Sequence, residues 1–451
     1  MLYDSESGTF KLALAGDCIL TRRLSVFRED RFLRLREIFR EADVGFANLE
    51  STVHEYLRGH HNVQEGSYTT TEPSLLRDLK WLGINMVSCA NSHAFDYGEE
   101  GVMQTIQYLD QVGIAHSGTG RNLQEARSPA YLDTPSGRVG LVAVTSHFAE
   151  WAVAGEQRSD TSGRPGVNPL GYKTTYEVDA QGIKALRRLG AALGVDSAKE
   201  RKRNTGIPIP PDAPNSYSFL GHHFVTGETF AIRTSPNEQD LRENLKQVRE
   251  ARHMADWVVV SLHCHQMGGS TLLTARVRSG MEEPADFVRD FAHQSIDEGA
   301  DIFIGHGLQV PLGIEIYKGK PIFYGLGSFV FQLETIRFLP QEAYARFGLD
   351  HTATPVDFVK ARYLNDTIGH PADPLQWQQV CAVCHYRGGI LNEIRLYPLD
   401  LGHGKSRSQR GRPLIADDEL GEKIINRIAR LSKGLGAEVF FVEGHGSVAV
   451  S

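Results

Sequence analysis

Carboxylates and imidazoles gather in this sequence where apolar runs stop. LALAGD ends in Gly16-Asp17, VGFANLE ends in Asn48-Leu49-Glu50, and NMVSCANSHAFDYG runs out into Asn91, Ser92, His93 and Asp96. VVVSLHCHQ delivers His263 and His265, and DIFIGHGLQ delivers His306 and Gln309. Oxygen and imidazole donors together suit a borderline divalent ion: carboxylates neutralise its charge and can bridge two ions, while imidazole favours Zn, Fe, Ni or Co. His263 and His265, two apart on a strand, face the same side. A lone Asp after a strand is ordinarily a cap or turn residue, and a lone His is ordinarily hydrogen-bonded. The coincidence at five run ends is what points to a metal site.

The elements that must position these groups alternate along the chain. Residues 10 to 16, 44 to 49, 84 to 89, 139 to 144, 257 to 262 and 302 to 304 read as buried strands, with helical spacing near 22 to 42, 73 to 82, 98 to 112, 237 to 254 and 284 to 299. That alternation means an α/β sheet with much parallel pairing, and such sheets bind ligands outside the carboxyl ends of their strands. Ser235-Pro236 reads as a helix start, with Ser235 as N-cap. After Gly305 the pattern changes to two strands, 312 to 317 and 321 to 331, joined by the turn Lys318-Gly319-Lys320, so the sheet is expected to be mixed. Segments 151–173, 197–225 and 335–380 lack sustained periodicity and read as insertions into one domain spanning 1–451, candidates for substrate loops. A strand-helix-strand extension follows at 388–445.

Composition narrows the class. With 48 basic and 55 acidic side chains in 451 residues the net charge is −7, and no global basic field exists to draw nucleic acid. Lys199 to Arg203 is the one dense charged run and reads as a solvated surface. Five cysteines are no disulfide framework and suit a reducing compartment. The start, MLYDSESGTFKLALAGDCIL, is acidic where a signal peptide is basic, and its apolar run is too short to span a bilayer. The expectation is a cytoplasmic protein with no membrane anchor. Cys381-Ala382-Val383-Cys384-His385 spells a haem-attachment pattern, but paired buried thiols in a strand are the plainer reading.

Several segments together resemble the CapA family, named for poly-gamma-glutamate capsule synthesis and similar in its core to calcineurin-like metallophosphoesterases. They are GDCILTR (16–22), ADVGFANLE (42–50), SCANSHAFDYGEEG (88–101), ADWVVVSLH (255–263), GADIFIGHGLQVPLGIEIYKGKPIFYGLGSFVF (299–331) and the helix-like 410–436. The resemblance implies a four-layer α/β/β/α metallophosphatase-like sandwich with mixed sheets, long inserted loops, and metals at the strand ends. Carried over by position, it makes Asp17 and Glu50 metal carboxylates, His263 and His306 imidazole ligands, His93 a general acid or ligand, and Arg22 a holder of an anionic substrate group. Departures bear on the site. The phosphoesterase Asn ligand falls at Ser92; the family's GHHPHV stands here as GHGLQV, leaving Gly307 and Gln309; and HWG becomes His263-Cys264-His265, adding a histidine that replaces one lost.

The expectation is a metal-dependent hydrolase that uses one or two divalent ions (Zn, Mn, Fe, Co or Ni) and a metal-activated water on an anionic small molecule or polymer. The bond is a phosphoester, or an amide or ester such as a gamma-glutamyl link. His93 serves as general acid, because imidazole titrates near neutrality, with Asp96 orienting its ring or capping the next helix. The alternative is a non-catalytic binding or accessory protein that keeps the fold and holds an anionic polymer or metabolite. A third reading is a redox protein using Cys264 or Cys381-Cys384.

Overall fold

The computed structural model describes residues 8–56, 60–62, 66–268 and 282–450. The acidic first seven residues lie outside that range. The chain is mixed α/β and forms two compact units, one of Met1–Leu170, Gln239–His265 and Ala292–Ser451, the other of Gly171–Glu238 and Gln266–Phe291.

The larger unit carries two mixed sheets. In the ten-stranded sheet, Thr9–Ile19 pairs in parallel with Val44–Leu49, which continues in parallel to Met86–Ser88 and Ala115–Ser117. On its other side residues 9–14 pair antiparallel with Gln378–Arg387, followed by the antiparallel Ile390–Asp400, His445–Val448 and Val439–Val442. The six-stranded sheet has a parallel centre, Gly137–Thr145, Trp257–His263, Ile302–His306 and Lys320–Phe323, with antiparallel edges.

Alternation along the strands explains the packing. Phe10, Leu12, Leu14, Phe46 and Met86 share one core with Val139, Leu141, Trp257, Val259, Ile302 and Ile304 of the other sheet, and Phe10 stacks on Trp257 at 4.7 Å. Ala13, Ala15, Ala47 and Val87 point the other way, onto Phe32, Leu35, Phe39, Leu79 and Leu109 of the helices. Strands buried on both faces read as unbroken apolar runs, and each large side chain so buried stabilises by roughly 1.5–3 kcal/mol. On the far side of the six-stranded sheet, helix Glu238–Met254 buries Leu245, Val248 and Ala251. Helix Asp418–Lys433, capped by Asp417, sends Ile424, Ile425 and Ile428 into the shared core.

The smaller unit contains a four-stranded sheet, ordered Ser216–Phe219, His222–Thr226, Tyr172–Val178 and Ala231–Pro236, with helices Ala180–Ala192 and Val195–Asn204. Much of segment 197–225 is therefore regular. Helix Val195–Asn204 buries no side chain, so no apolar stripe marks it. Ser235 and Pro236 end a strand rather than cap the next helix. The run 321–331 is two strands, because the chain leaves one sheet after Phe323 and joins the other at Ser328–Phe331, beside Thr9–Ile19.

Candidate metal centre

Six parallel strand ends, three from each sheet of the larger unit, meet around one cluster. Asp17 is placed by a close backbone approach: its N–H donates to Gly327 O at 2.8 Å, and a Cβ at Gly16 would lie 1.8 Å from that same oxygen. Only glycine fits at 16. The pairing register also shifts around Asp17, as in a bulge that re-aims a side chain.

Asp17 Oδ1 accepts from Asn48 Nδ2 at 2.8 Å, and Oδ2 accepts from the backbone N–H of Gly307 at 3.0 Å. Asn48 Nδ2 is also 3.2 Å from His263 Nδ1. Asn91 donates to Asn48 Oδ1 at 3.3 Å and accepts from the His93 N–H at 3.1 Å. His263 Nε2 is 3.1 Å from His265 Nε2 and 3.8 Å from Glu50 Oε1. His306 Nδ1 is 3.7 Å from Asp17 Oδ1. Donor atoms of Glu50, His263 and His265 all lie within 4.8 Å of one another. At the rim, His93 Nδ1 is 2.7 Å from Asp96 Oδ2, which also accepts from the Thr69 N–H at 2.7 Å. Asp96 therefore orients His93, and Tyr97, not Asp96, stands at the helix cap.

Burial sets the electrostatics. It pushes the Asp17 carboxyl up to about 6, against the hydrogen bonds from Asn48 and Gly307. It raises Glu50 well above the carboxylate range, with the charges of Asp17 and Asp96 adding to it and the Ser92 hydroxyl opposing. Burial lowers His306 to about 3 and His147 to about 4, and drives His263 and His265 well below the usual imidazole range.

These residues fit a divalent ion. Both ring nitrogens of His306 and both oxygens of Glu50 are shut from solvent with no well-formed hydrogen bond. Buried polar atoms without partners are costly, and a cation would engage one nitrogen of the His306 ring and the Glu50 carboxylate. The imidazoles are already neutral, as ligation requires, and a cation would reverse the penalty on the carboxylates.

Asp17, Glu50, Ser92, His93, Asp96, His263, His265 and His306 thus come together. Arg22 stands apart: its guanidinium donates to the carbonyls of Ser408 and Arg410, and its N–H to Gln332. Gln309, at φ 60°, turns its carbonyl to Gln379 Nε2 at 2.9 Å. His147 was missed by the sequence reading. It follows strand Gly137–Thr145, so the strand-end rule applied to one more strand would have found it. Its ring stacks on His265 at 3.9 Å. Cys381 and Cys384 are buried in different cores on opposite faces of Gln378–Arg387, which is no haem-attachment geometry.

Residues 11–333, holding every member of this cluster, match the family model described as Bacterial capsule synthesis protein PGA_cap. The chain belongs to the PGA_cap family. Within PGA_cap, it is similar to the uncharacterized protein y4sH of Sinorhizobium fredii, 30% identical over 445 residues that cover 95% of this chain and 91% of that one. The PGA biosynthesis protein CapA of Bacillus subtilis is 24% identical over 324 residues, 71% of this chain and 62% of its own length. Among solved structures, a hypothetical protein from Thermus thermophilus aligns over 86% of this chain and 99% of that chain at 14% identity and a TM-score of 0.38. The PGA_cap match stops before the late antiparallel strands of the ten-stranded sheet. Among the described residues no helix is long and apolar enough to cross a membrane.

Proposed function

We propose that this PGA_cap protein is a metal-dependent hydrolase of an anionic substrate, built as a metallophosphatase-like sandwich in which the two sheets hold the centre between their strand ends. The observation that carries the reading is the convergence of Glu50, His263 and His265 with the unpartnered nitrogens of His306, beside the His93–Asp96 pair. A divalent ion held there would supply polarisation of the substrate and a water of lowered pKa.

The protein's own groups do the rest. Asp17, Glu50, His263, His265 and His306 would hold the ion, and the Ser92 hydroxyl, beside Glu50, favours its carboxylate form. Asp96, fixed by the Thr69 N–H, accepts from His93 Nδ1 and leaves Nε2 to give a proton to the leaving group. The five free, buried thiols suit a reducing compartment, so we place the protein in the cytoplasm.

The similarity to the PGA biosynthesis protein CapA of Bacillus subtilis makes gamma-glutamyl amides the first substrates to test, with phosphoesters beside them. Metal-reconstituted protein should hydrolyse one of these classes, and His93→Ala should sharply slow turnover while keeping the metal. Metal binding without turnover on any of them would instead support the accessory-protein reading.

A further inference from the structure

Two features at the centre, Gly307 and the His263–His265 pair, occupy one another's space. Gly307 has φ 98°, and a Cβ there would lie 2.8 Å from Cys264 O, 2.9 Å from His265 Cδ2 and 3.0 Å from His263 Cε1. The two imidazoles fill the volume a side chain at 307 would need. Meanwhile the 3.1 Å between His263 Nε2 and His265 Nε2 is close to the edge of a tetrahedral zinc site, about 3.3 Å for Zn–N bonds of about 2.05 Å.

His147 packs on the second of these rings. Its imidazole lies on that of His265 at 3.9 Å with 25° between the planes. The backbone that presents it is tied down: Ser146 N–H donates to His263 O at 2.9 Å, Thr145 Oγ1 donates to His147 O at 3.0 Å, and the His147 N–H returns to Thr145 Oγ1 at 3.2 Å. A ring stacked on a fixed neighbour has a fixed plane, and a ligand's plane decides where its lone pair points.

Resting on the metal-centre reading, we propose that His265 occupies the space opened by Gly307 as an added ligand, that His147 is the positioning residue that fixes its ring by stacking, and that this imidazole-rich wall selects Zn, Co or Ni over Mn or Mg. His147, His263, His265 and His306 all come from the six-stranded sheet, and nitrogen-rich donor sets favour the later divalent ions while oxygen sets suit Mg and Mn.

The test uses full-length protein stripped by chelator, with Zn and Mn affinities read by competition against a fluorescent chelator, and Co(II) absorption reporting ligand geometry. Wild type should prefer Zn over Mn by on the order of 100-fold. His265→Ala should collapse that preference. His147→Ala should weaken Zn binding by about 10–100-fold, and His147→Phe, which keeps a ring in the stack, should restore it to within a few-fold, with circular dichroism unchanged throughout. Zn affinity unchanged in His147→Ala or His265→Ala would overturn the proposal, as would His147→Phe as weak as His147→Ala, which would make His147 itself a ligand. A wild type that binds no metal would sink the metal-centre reading too. Binding by wild type with indifferent variants would sink only this inference.

Discussion

The backbone N–H of Gly307 donates to Asp17 Oδ2 across 3.0 Å. That bond joins the carboxyl end of a strand in one sheet to the carboxyl end of a strand in the other, and Asn48 repeats the connection by reaching both Asp17 and His263. The centre is therefore a seam. Its geometry depends on how closely the two sheets approach, and the glycines at 16 and 307 are what let backbone and imidazole come so near.

Gly16→Ala tests that dependence. Its Cβ would meet the Gly327 carbonyl, a backbone group that no rotamer change can move aside. The variant should lose about 3 kcal/mol or more of stability in urea unfolding, at the upper end of overpacking effects. A loss below about 1 kcal/mol would mean the approach is not a structural requirement.

His93→Ala separates proton transfer from ligation. If His93 acts as general acid, turnover should fall by about 10²–10⁴-fold while metal content stays at the wild-type level. Loss of metal along with activity would make His93 a ligand instead.

The metal-free protein should be acid-labile. Burial lowers His147 to about 4 and His306 to about 3, and holds His263 and His265 lower than usual too, so as pH falls below the ordinary value of about 6.5 the unfolded chain takes up protons on these four before the folded state does. That stability is present above pH 6.5 and lost as pH falls toward the folded values. Asp17, raised to about 6, and Glu50, raised well above its usual value, work oppositely, binding protons in the folded state first. The four imidazoles outnumber the two carboxyls, so the net expectation is that stability falls on acidification. Urea titrations of chelated protein from pH 7.5 to 5 check this, and stability that rises on acidification would contradict it.

How far the sequence revealed this arrangement depended on burial. Residues 98 to 112 and 44 to 49 match the helix Gly98–Val112 and the strand Val44–Leu49, because their apolar periods are enforced by cores on the faces they bury. Helix Val195–Asn204 was illegible since nothing along it is buried. The break after Phe323 was hidden because the residues on both sides of it are apolar and buried, though in different sheets. Eight of the nine proposed site residues could be read from strand ends and motif order, and they do converge. Arg22 shares the same first motif, yet its guanidinium serves the segment around Ser408 and Arg410, a contact spanning 386 residues that no local pattern encodes. His147 is its converse: a histidine with no motif of its own, brought to the centre by the register of Gly137–Thr145 beside Trp257–His263.

The buried cysteines give an independent check on packing. Burial pushes Cys89 up to about 12 and Cys18, Cys381 and Cys384 higher still. Thiol reagents should leave these four unmodified in the native protein at pH 8 and label them in denaturant. Rapid native labelling of Cys381 or Cys384 would contradict the two-core placement of their strand.

The most direct test of the metal centre is elemental analysis of purified, untagged protein beside His306→Ala. Wild type should carry one or two equivalents of a transition metal, as isolated or after reconstitution. His306→Ala, whose circular dichroism should match wild type, should lose bound metal because it removes a buried imidazole whose ring nitrogens make no hydrogen bond. Full metal retention in that variant, or no metal in wild type after reconstitution with Zn, Mn, Fe, Co and Ni, would contradict the assignment.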